Sequence, residues 1–143
     1  MERIIPKETI KFIEGKLHSR DKIQQEIDDW RLSVKYPANR QLVPNAGYIS
    51  DPTANLAIKF ADPPPRIREC EKWVELIDQT MEYCRQNKNR VFEIWYGKKR
   101  QTAMQAHTKS GMRKNTFYQN RCSAVSYLLF RAIDAGLCKL DGN

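Results

Sequence analysis

Apolar residues recur with helical periodicity along most of the chain, and the alternation typical of strands is scarce. The clearest stripe follows the prolines at 63–65, where apolar positions are separated alternately by three and four residues. Its members are Ile67, Cys70, Val74, Ile77, Met81 and Cys84, and Trp73 and Leu76 widen it. This pattern predicts a long helix whose one apolar face is buried, either in the core of this chain or in a dimer seam.

A helical arm is predicted ahead of this helix. Pro6 suits the first turn of a helix, and Ser19 and Asp21 indicate an interruption followed by a new N-cap. The first apolar stripe consists of Ile10, Ile13 and Leu17, and the second consists of Ile23, Ile27, Trp30 and Val34. The pattern leaves open whether the arm is one helix or two, and whether it packs on the body or pairs with a second copy.

The middle of the chain carries the strongest breaks. Residues 36–50 contain two prolines, two asparagines and a glycine, and they follow no period. Asp51 and Pro52 suit an N-cap and a first helical position, and the three prolines end the short helix that follows. We therefore expect an N-terminal arm and irregular linker at 1–50 and a helical domain at 51–143.

Three helices are predicted in the last third of the chain. An apolar helix over 90–97 is followed by a short helix over 101–109, a turn at 110–111 and a longer helix over 113–134. A short helix, a glycine-containing turn and a longer helix form the outline of a helix-turn-helix, here at about 101–134. The apolar residues available to lock the two helices together are Ala106, Met112 and Phe117. The expected class is therefore all-α.

The charge of the chain is concentrated in one segment. The formal net charge is +8. Residues 85–121 contain ten basic residues and one acid, Glu93, so this segment alone carries +9. Such a local excess indicates a polyanionic partner. The alternative is a basic surface that only aids solubility, although solubilising surfaces usually mix charges of both signs.

The helix-turn-helix outline and the charge together favour double-stranded DNA as that partner. In this motif the second helix lies in the major groove, where its first residues meet the base edges. Basic and amide side chains match guanine and adenine there, and hydroxyl or basic side chains bind phosphates. The candidates for base readout are Arg113, Lys114, Asn115 and Gln119, and those for backbone contact are Lys98, Lys99, Arg100, Lys109, Thr116, Tyr118 and Arg121.

The sequence offers little for other functions. Its two histidines, His18 and His107, lie on different segments, and no phosphate loop, paired-carboxylate motif or nucleophile motif occurs. We interpret His107 as a packing or phosphate-facing residue, and we expect no enzyme and no cofactor. The four cysteines lack the spacing of a zinc site and are expected to be reduced. Without a long apolar run or a secretory signal, a cytoplasmic location and no membrane partner are expected.

Two short strings and the order of the helices carry a resemblance. The stretches SDPTANLAIKFAD at 50–62 and RVFEIWYGKK at 90–99 flank the long helix and lead to the helix-turn-helix. In this arrangement, over residues 20–135, the chain resembles phage late-gene transcriptional activators of the RinA and ArpU type. Their C-terminal part is similar to the fourth conserved region of bacterial sigma factors.

The resemblance implies promoter binding and activation of late phage genes in a bacterial host cell, with host RNA polymerase as a further partner. It assigns the start of the reading helix to Arg113, Lys114, Asn115, Thr116 and Tyr118. The first helix of the motif, QTAMQAHT, departs from the more aliphatic helix usual in that family. Two alternatives stay open: a ring-forming DNA-packaging protein similar to a terminase small subunit, and a helical module that pairs with a protein through the 67–84 stripe. Homo-oligomers are compatible with each.

Overall fold

The computed structural model describes residues 5–36, 52–96 and 102–139. Within these ranges the chain forms helices and no strand, which confirms the expected all-α class. The α-helices are α1 Lys7–His18, α2 Arg20–Lys35, α3 Pro52–Ala61, α4 Pro65–Gln86, α5 Ala103–Ser110 and α6 Lys114–Asp134. A single short π-helix, Phe92–Tyr96, lies between α4 and α5. None of these helices has the length and hydropathy that a membrane span requires.

The chain forms two compact units. Unit 1 comprises Met1–Arg20 and Lys72–Asn143, and unit 2 comprises Asp21–Glu71. The expected N-terminal arm is thus shared between them, since α1 belongs to unit 1 and most of α2 to unit 2. The expected domain boundary at 50–51, and the irregular stretch before it, lie outside the described residues.

The arm consists of two helices because the chain turns at Ser19. The Ser19 N–H still donates to Lys16 O (3.0 Å), and its ψ of 14° ends α1. α1 buries Thr9, Ile13 and Leu17 and packs against α6. For α1, therefore, packing on the body is the correct alternative. Arg20, at the start of α2, forms a bidentate pair with Asp78 of α4 within unit 1 (2.9 and 3.1 Å).

Most of the apolar stripe of α4 is buried, Cys70 and Leu76 are half-buried, and one member is exposed. Ile67, Trp73, Val74, Ile77 and Cys84 are buried as predicted, and burial raises the pKa of the Cys84 thiol to about 11. Met81, however, is 41% exposed, and the fully buried position beside it is Thr80. A threonine is tolerated there because its hydroxyl donates to Leu76 O one turn earlier (2.8 Å), so no polar group is left unpaired.

Unit 2 has a small apolar centre and a surface of mixed charge. Ile23 and Ile27 of α2 are buried, and Trp30 meets Phe60 of α3 edge to face (5.9 Å between ring centres). The arginines among its described residues lie beside carboxylates. The ion pairs are Arg66–Glu26 (2.7 Å), Arg31–Glu71 (3.7 Å) and Arg68–Asp62.

Candidate nucleic-acid interface

The first helix of the expected helix-turn-helix begins at a well-formed cap. Thr102 is the N-cap of α5, and its hydroxyl accepts from the Gln105 backbone N–H (3.1 Å). The Gln105 side chain in turn accepts from the Thr102 backbone N–H (3.0 Å). This reciprocal capping box satisfies two of the free donors at the helix start. A helix of only eight residues therefore has a defined beginning despite its polar sequence.

The turn after α5 is held by three residues. Gly111 ends the helix with φ +69°, a left-handed conformation that glycine adopts without steric cost. His107 Nε2 lies 2.8 Å from Met112 O, across the turn. Ser110 donates to His107 O (2.7 Å) and accepts from the Met112 N–H (3.1 Å). His107 is thus a packing residue, as predicted, and it bridges the two sides of the turn.

Buried side chains connect the two helices. Ala106 of α5 is fully buried, and Phe117, one turn into α6, is 5% exposed. The Phe117 ring lies 5.4 Å from the His107 ring and 6.0 Å from the Trp95 ring. Trp95 and Tyr96 are themselves buried. α5 rests on the π-helix that carries this aromatic pair. Phe117 thus contacts α5 through the His107 ring, while Ala106 is buried and Met112 is half-buried, as the predicted lock requires.

The opposite side of the turn and the start of α6 are open to solvent. α6 begins at Lys114, one residue later than expected, because Arg113 is its extended N-cap (ψ 146°). Seven of the predicted DNA-binding residues are exposed here and form what we call the reading surface: Lys109, Arg113, Lys114, Asn115, Thr116, Tyr118 and Gln119. The sequence has no Asp or Glu between Glu93 and Asp134. Within the described residues, no ion pair joins Lys109, Arg113 or Lys114 to a carboxylate.

The start of α6 is electrostatically unusual for a helix. The first turn contains no acidic residue, and Arg113 makes no side-chain cap hydrogen bond. The N-terminus of a helix carries partial positive charge, so Lys114 and the N-cap Arg113 repel it rather than compensate it. Free backbone N–H groups and two cations at one helix start are the elements of an anion-binding site.

Arg121 differs from the other predicted contacts. Its guanidinium forms a bidentate pair with Glu14 of α1 (Nε–Oε2 3.0 Å, NH2–Oε1 2.9 Å) and lies over the Trp95 ring at 4.8 Å. Burial works against its charge, but hydrogen bonds and attraction from Glu14 outweigh that effect and raise the pKa of Arg121. The side chain is 27% exposed. We therefore leave Arg121 out of the reading surface.

The polar residues around Arg121 are accommodated by specific bonds. Asn120 O accepts from the side chain of the buried Asn89 (2.8 Å), and Asn89 Oδ1 accepts from the Val91 N–H (3.0 Å). Glu14 also accepts from the Tyr96 hydroxyl (2.7 Å). Burial, with the negative charge of Glu14, raises the pKa of Tyr96 well above its usual range. The backbone carbonyl of Asn120 and the side chain of Arg121 thus both bond to other residues of unit 1.

Not every predicted site residue falls within the described chain. Lys98, Lys99 and Arg100 lie outside the described residues. The structure adds hydrogen bonds of Glu14, Asn89 and Tyr96 around the motif, and of these three residues Glu14 was not singled out from the sequence. No protein-family model, curated protein or solved structure matches the chain.

Proposed function

We propose that the chain is a sequence-specific DNA-binding protein that uses the reading surface to recognise double-stranded DNA. The observation that carries the proposal is the exposed, acid-free face formed by the start of α6 and the turn before it. Backbone phosphates would lie against Lys109, Thr116 and Tyr118. Base edges would meet side chains of the first turns of α6, chiefly Asn115 and Gln119, whose amides match adenine.

The proposed binding has two separable parts. The cations attract any duplex, and each neutralised phosphate adds about 0.9 to the dependence of log affinity on log salt. The three cations of the reading surface therefore predict a slope of roughly −3, and the basic residues at 98–100 would bring it to roughly −5. Sequence preference would come from hydrogen bonds to base edges, each worth about 1–3 kcal/mol.

We further propose that this binding serves transcriptional activation, as in the phage late-gene activators that the chain resembles. The support is the order of the helices together with the strings at 50–62 and 90–99. Contact with RNA polymerase is implied by the resemblance to sigma factors alone, so it requires its own test. That test is transcription in vitro from a template carrying the selected site, with host polymerase, where activation must depend on both the site and Asn115.

The binding experiment uses a labelled pool of random duplexes, titrated over a salt series and followed by sequencing of the bound fraction. An enriched motif with a steep salt slope is expected. A steep slope without a motif, joined to a large closed oligomer in light scattering, would favour a packaging protein. Absence of binding at low salt would contradict the proposal and leave an interaction module.

A further inference from the structure

One of the contacts between the helix-turn-helix and the rest of unit 1 is a shared carboxylate, that of Glu14 in α1, which we call the tie. Glu14 Oε1 accepts from Arg121 NH2 (2.9 Å), and Oε2 accepts from Arg121 Nε (3.0 Å) and from the Tyr96 hydroxyl (2.7 Å). Arg121 belongs to α6, and Tyr96 belongs to the π-helix on which α5 rests. The Glu14 side chain therefore bonds both to α6, the helix that would read DNA, and to the π-helix against which α5 packs.

The Glu14–Arg121 pair is partly buried, and its bidentate geometry fixes its orientation. Glu14 is 13% exposed, and the Trp95 ring covers one face of the Arg121 guanidinium. In such a partly water-excluded place, charge-assisted bonds are stronger than on the surface. A bidentate pair also fixes the plane of the guanidinium as well as its distance. The tie thus restrains the rotation of α6 in addition to its position.

The tie lies close enough to the reading surface to control it. Arg121 follows Lys114 by seven residues, which is about 10 Å along a helix. A small rotation at Arg121 therefore displaces the side chains of the first turns. Base hydrogen bonds require donor–acceptor distances near 3 Å and good alignment, whereas the attraction of cations to phosphates falls off slowly with distance.

We propose that Glu14 is a positioning residue for DNA readout, and that it sets base discrimination without contributing to phosphate affinity. The inference rests on the proposed function, because the discrimination in question is that of the reading surface. Replacing Glu14 leaves the partly buried Arg121 guanidinium without its carboxylate. The rotation of α6 is then no longer restrained by this pair. Cations on the reading surface keep their charges, so capture of any duplex persists.

The test compares Glu14→Gln with the control Asp78→Asn. The control removes another bidentate arginine–carboxylate pair of unit 1, that between Arg20 of α2 and Asp78 of α4. Each variant is titrated with the selected duplex and with a scrambled duplex, after its active fraction has been measured at stoichiometric concentration. Amide hydrogen exchange over 103–121 is measured on the same samples without DNA.

For Glu14→Gln we expect the ratio of specific to scrambled affinity to fall at least about tenfold, the weight of one good base contact. The salt slope on scrambled duplex stays unchanged, and exchange over 103–121 becomes faster. Asp78→Asn changes none of these. An unchanged affinity ratio would overturn the proposal, because a loss of stability alone lowers the active fraction and not the ratio.

Two further outcomes are distinguishable. If Glu14→Gln does not fold, Tyr96→Phe removes one of the three bonds and keeps the ring, and a smaller fall in the affinity ratio is expected. An unchanged ratio in that variant would overturn the proposal. If the wild-type protein binds no DNA, the proposed function fails, and positioning for readout fails with it. Faster exchange in Glu14→Gln but not in Asp78→Asn would then show that the tie exists as a structural restraint only.

Discussion

The arginines of unit 2 and the cations of the reading surface face different surroundings. In unit 2, Arg31, Arg66 and Arg68 each lie beside a carboxylate, so the local charge is balanced. On the reading surface, Lys109, Arg113 and Lys114 have no such neighbour within the described residues, and the nearest acids in sequence are Glu93 and Asp134. Net charge alone does not separate these regions. The separation comes from where the acids are, and it indicates which cations are available to an external anion.

The largest expected effect concerns the lock that holds the reading surface together. Phe117→Ala removes a ring that is 5% exposed and packs on His107 and Trp95. We expect the free energy of unfolding to fall by about 3–5 kcal/mol, as for other buried aromatic truncations. Urea denaturation followed by circular dichroism measures it. The control Met104→Ala, at a position 77% exposed in α5, should change it by less than about 0.5 kcal/mol.

Reversing charges tests the comparison itself. Arg113→Glu with Lys114→Glu should lower affinity for any duplex by on the order of a hundredfold near 0.1 M salt, because attraction to phosphates becomes repulsion. The matched double variant Arg66→Glu with Arg68→Glu makes the same charge change in unit 2 and should alter affinity only a fewfold. Anisotropy titrations of a labelled duplex with each double variant measure the two losses of affinity. Equal losses would show that total charge, and not the reading surface, governs binding.

The reading surface itself is expected to divide into base and phosphate contacts. Asn115→Ala should reduce discrimination at one base position by about 1–3 kcal/mol, measured by selection and sequencing. Lys109→Ala should weaken binding to all sequences alike and lower the salt slope by about one. If Asn115→Ala leaves base preference intact, the residues assigned to base readout are wrong even though the surface is right.

Lys88 offers a cation of the basic segment that lies outside the reading surface. It follows α4 with φ 58°, and the bond from Asn89 N–H to Cys84 O (2.8 Å) closes the helix end around it. Gly136 has the same role after α6, with φ 77°. Lys88→Gly should relieve the left-handed strain and raise the free energy of unfolding by up to about 1 kcal/mol. DNA affinity should stay nearly constant, and a clear loss would extend the interface to this end of α4.

The smallest effect concerns His18, whose ring meets Trp95 and Tyr96 edge on. Burial lowers its pKa, nearby Glu14 opposes that shift and Arg121 adds to it. The unfolded chain therefore binds more protons than the folded chain between the lowered pKa and the ordinary value near 6.5. Stability should decline as pH falls through that window. His18→Gln should remove this part of the pH dependence in thermal melts, and an unchanged profile would exclude His18 as its source.

Local signals allowed much of the fold to be predicted. Prolines, the break at Ser19 and the glycine at 111 mark helix ends through backbone constraints that act within a few residues. The prediction for the apolar stripe of α4 was wrong at Met81, which is exposed, because spacing alone does not reveal that Thr80 can be buried with its hydroxyl bonded to Leu76 O. The exposed start of α6 followed from the same local reasoning.

The contacts of Glu14 with Arg121 and Tyr96 could not be predicted from local sequence signals. Glu14 is separated from Tyr96 by 82 residues and from Arg121 by 107, and no local pattern distinguishes it from Glu8, the other acid of α1. The sequence predicts Arg121 as a phosphate contact because it is a cation on the last helix. In the folded chain, packing of α1 against α6 places it beside Glu14 instead. Local sequence predicts which residues share a helix face, whereas the choice of partner across helices depends on how the helices pack.

The most direct test of the central claim is the salt-dependent titration of the full chain with random duplexes, followed by sequencing of the bound pool. We predict a log–log slope of about −3 or steeper and an enriched motif, and the motif should weaken at one position in Asn115→Ala. No binding at low salt would contradict the claim, because an acid-free cationic helix start would then have no affinity for the polyanion it was proposed to bind.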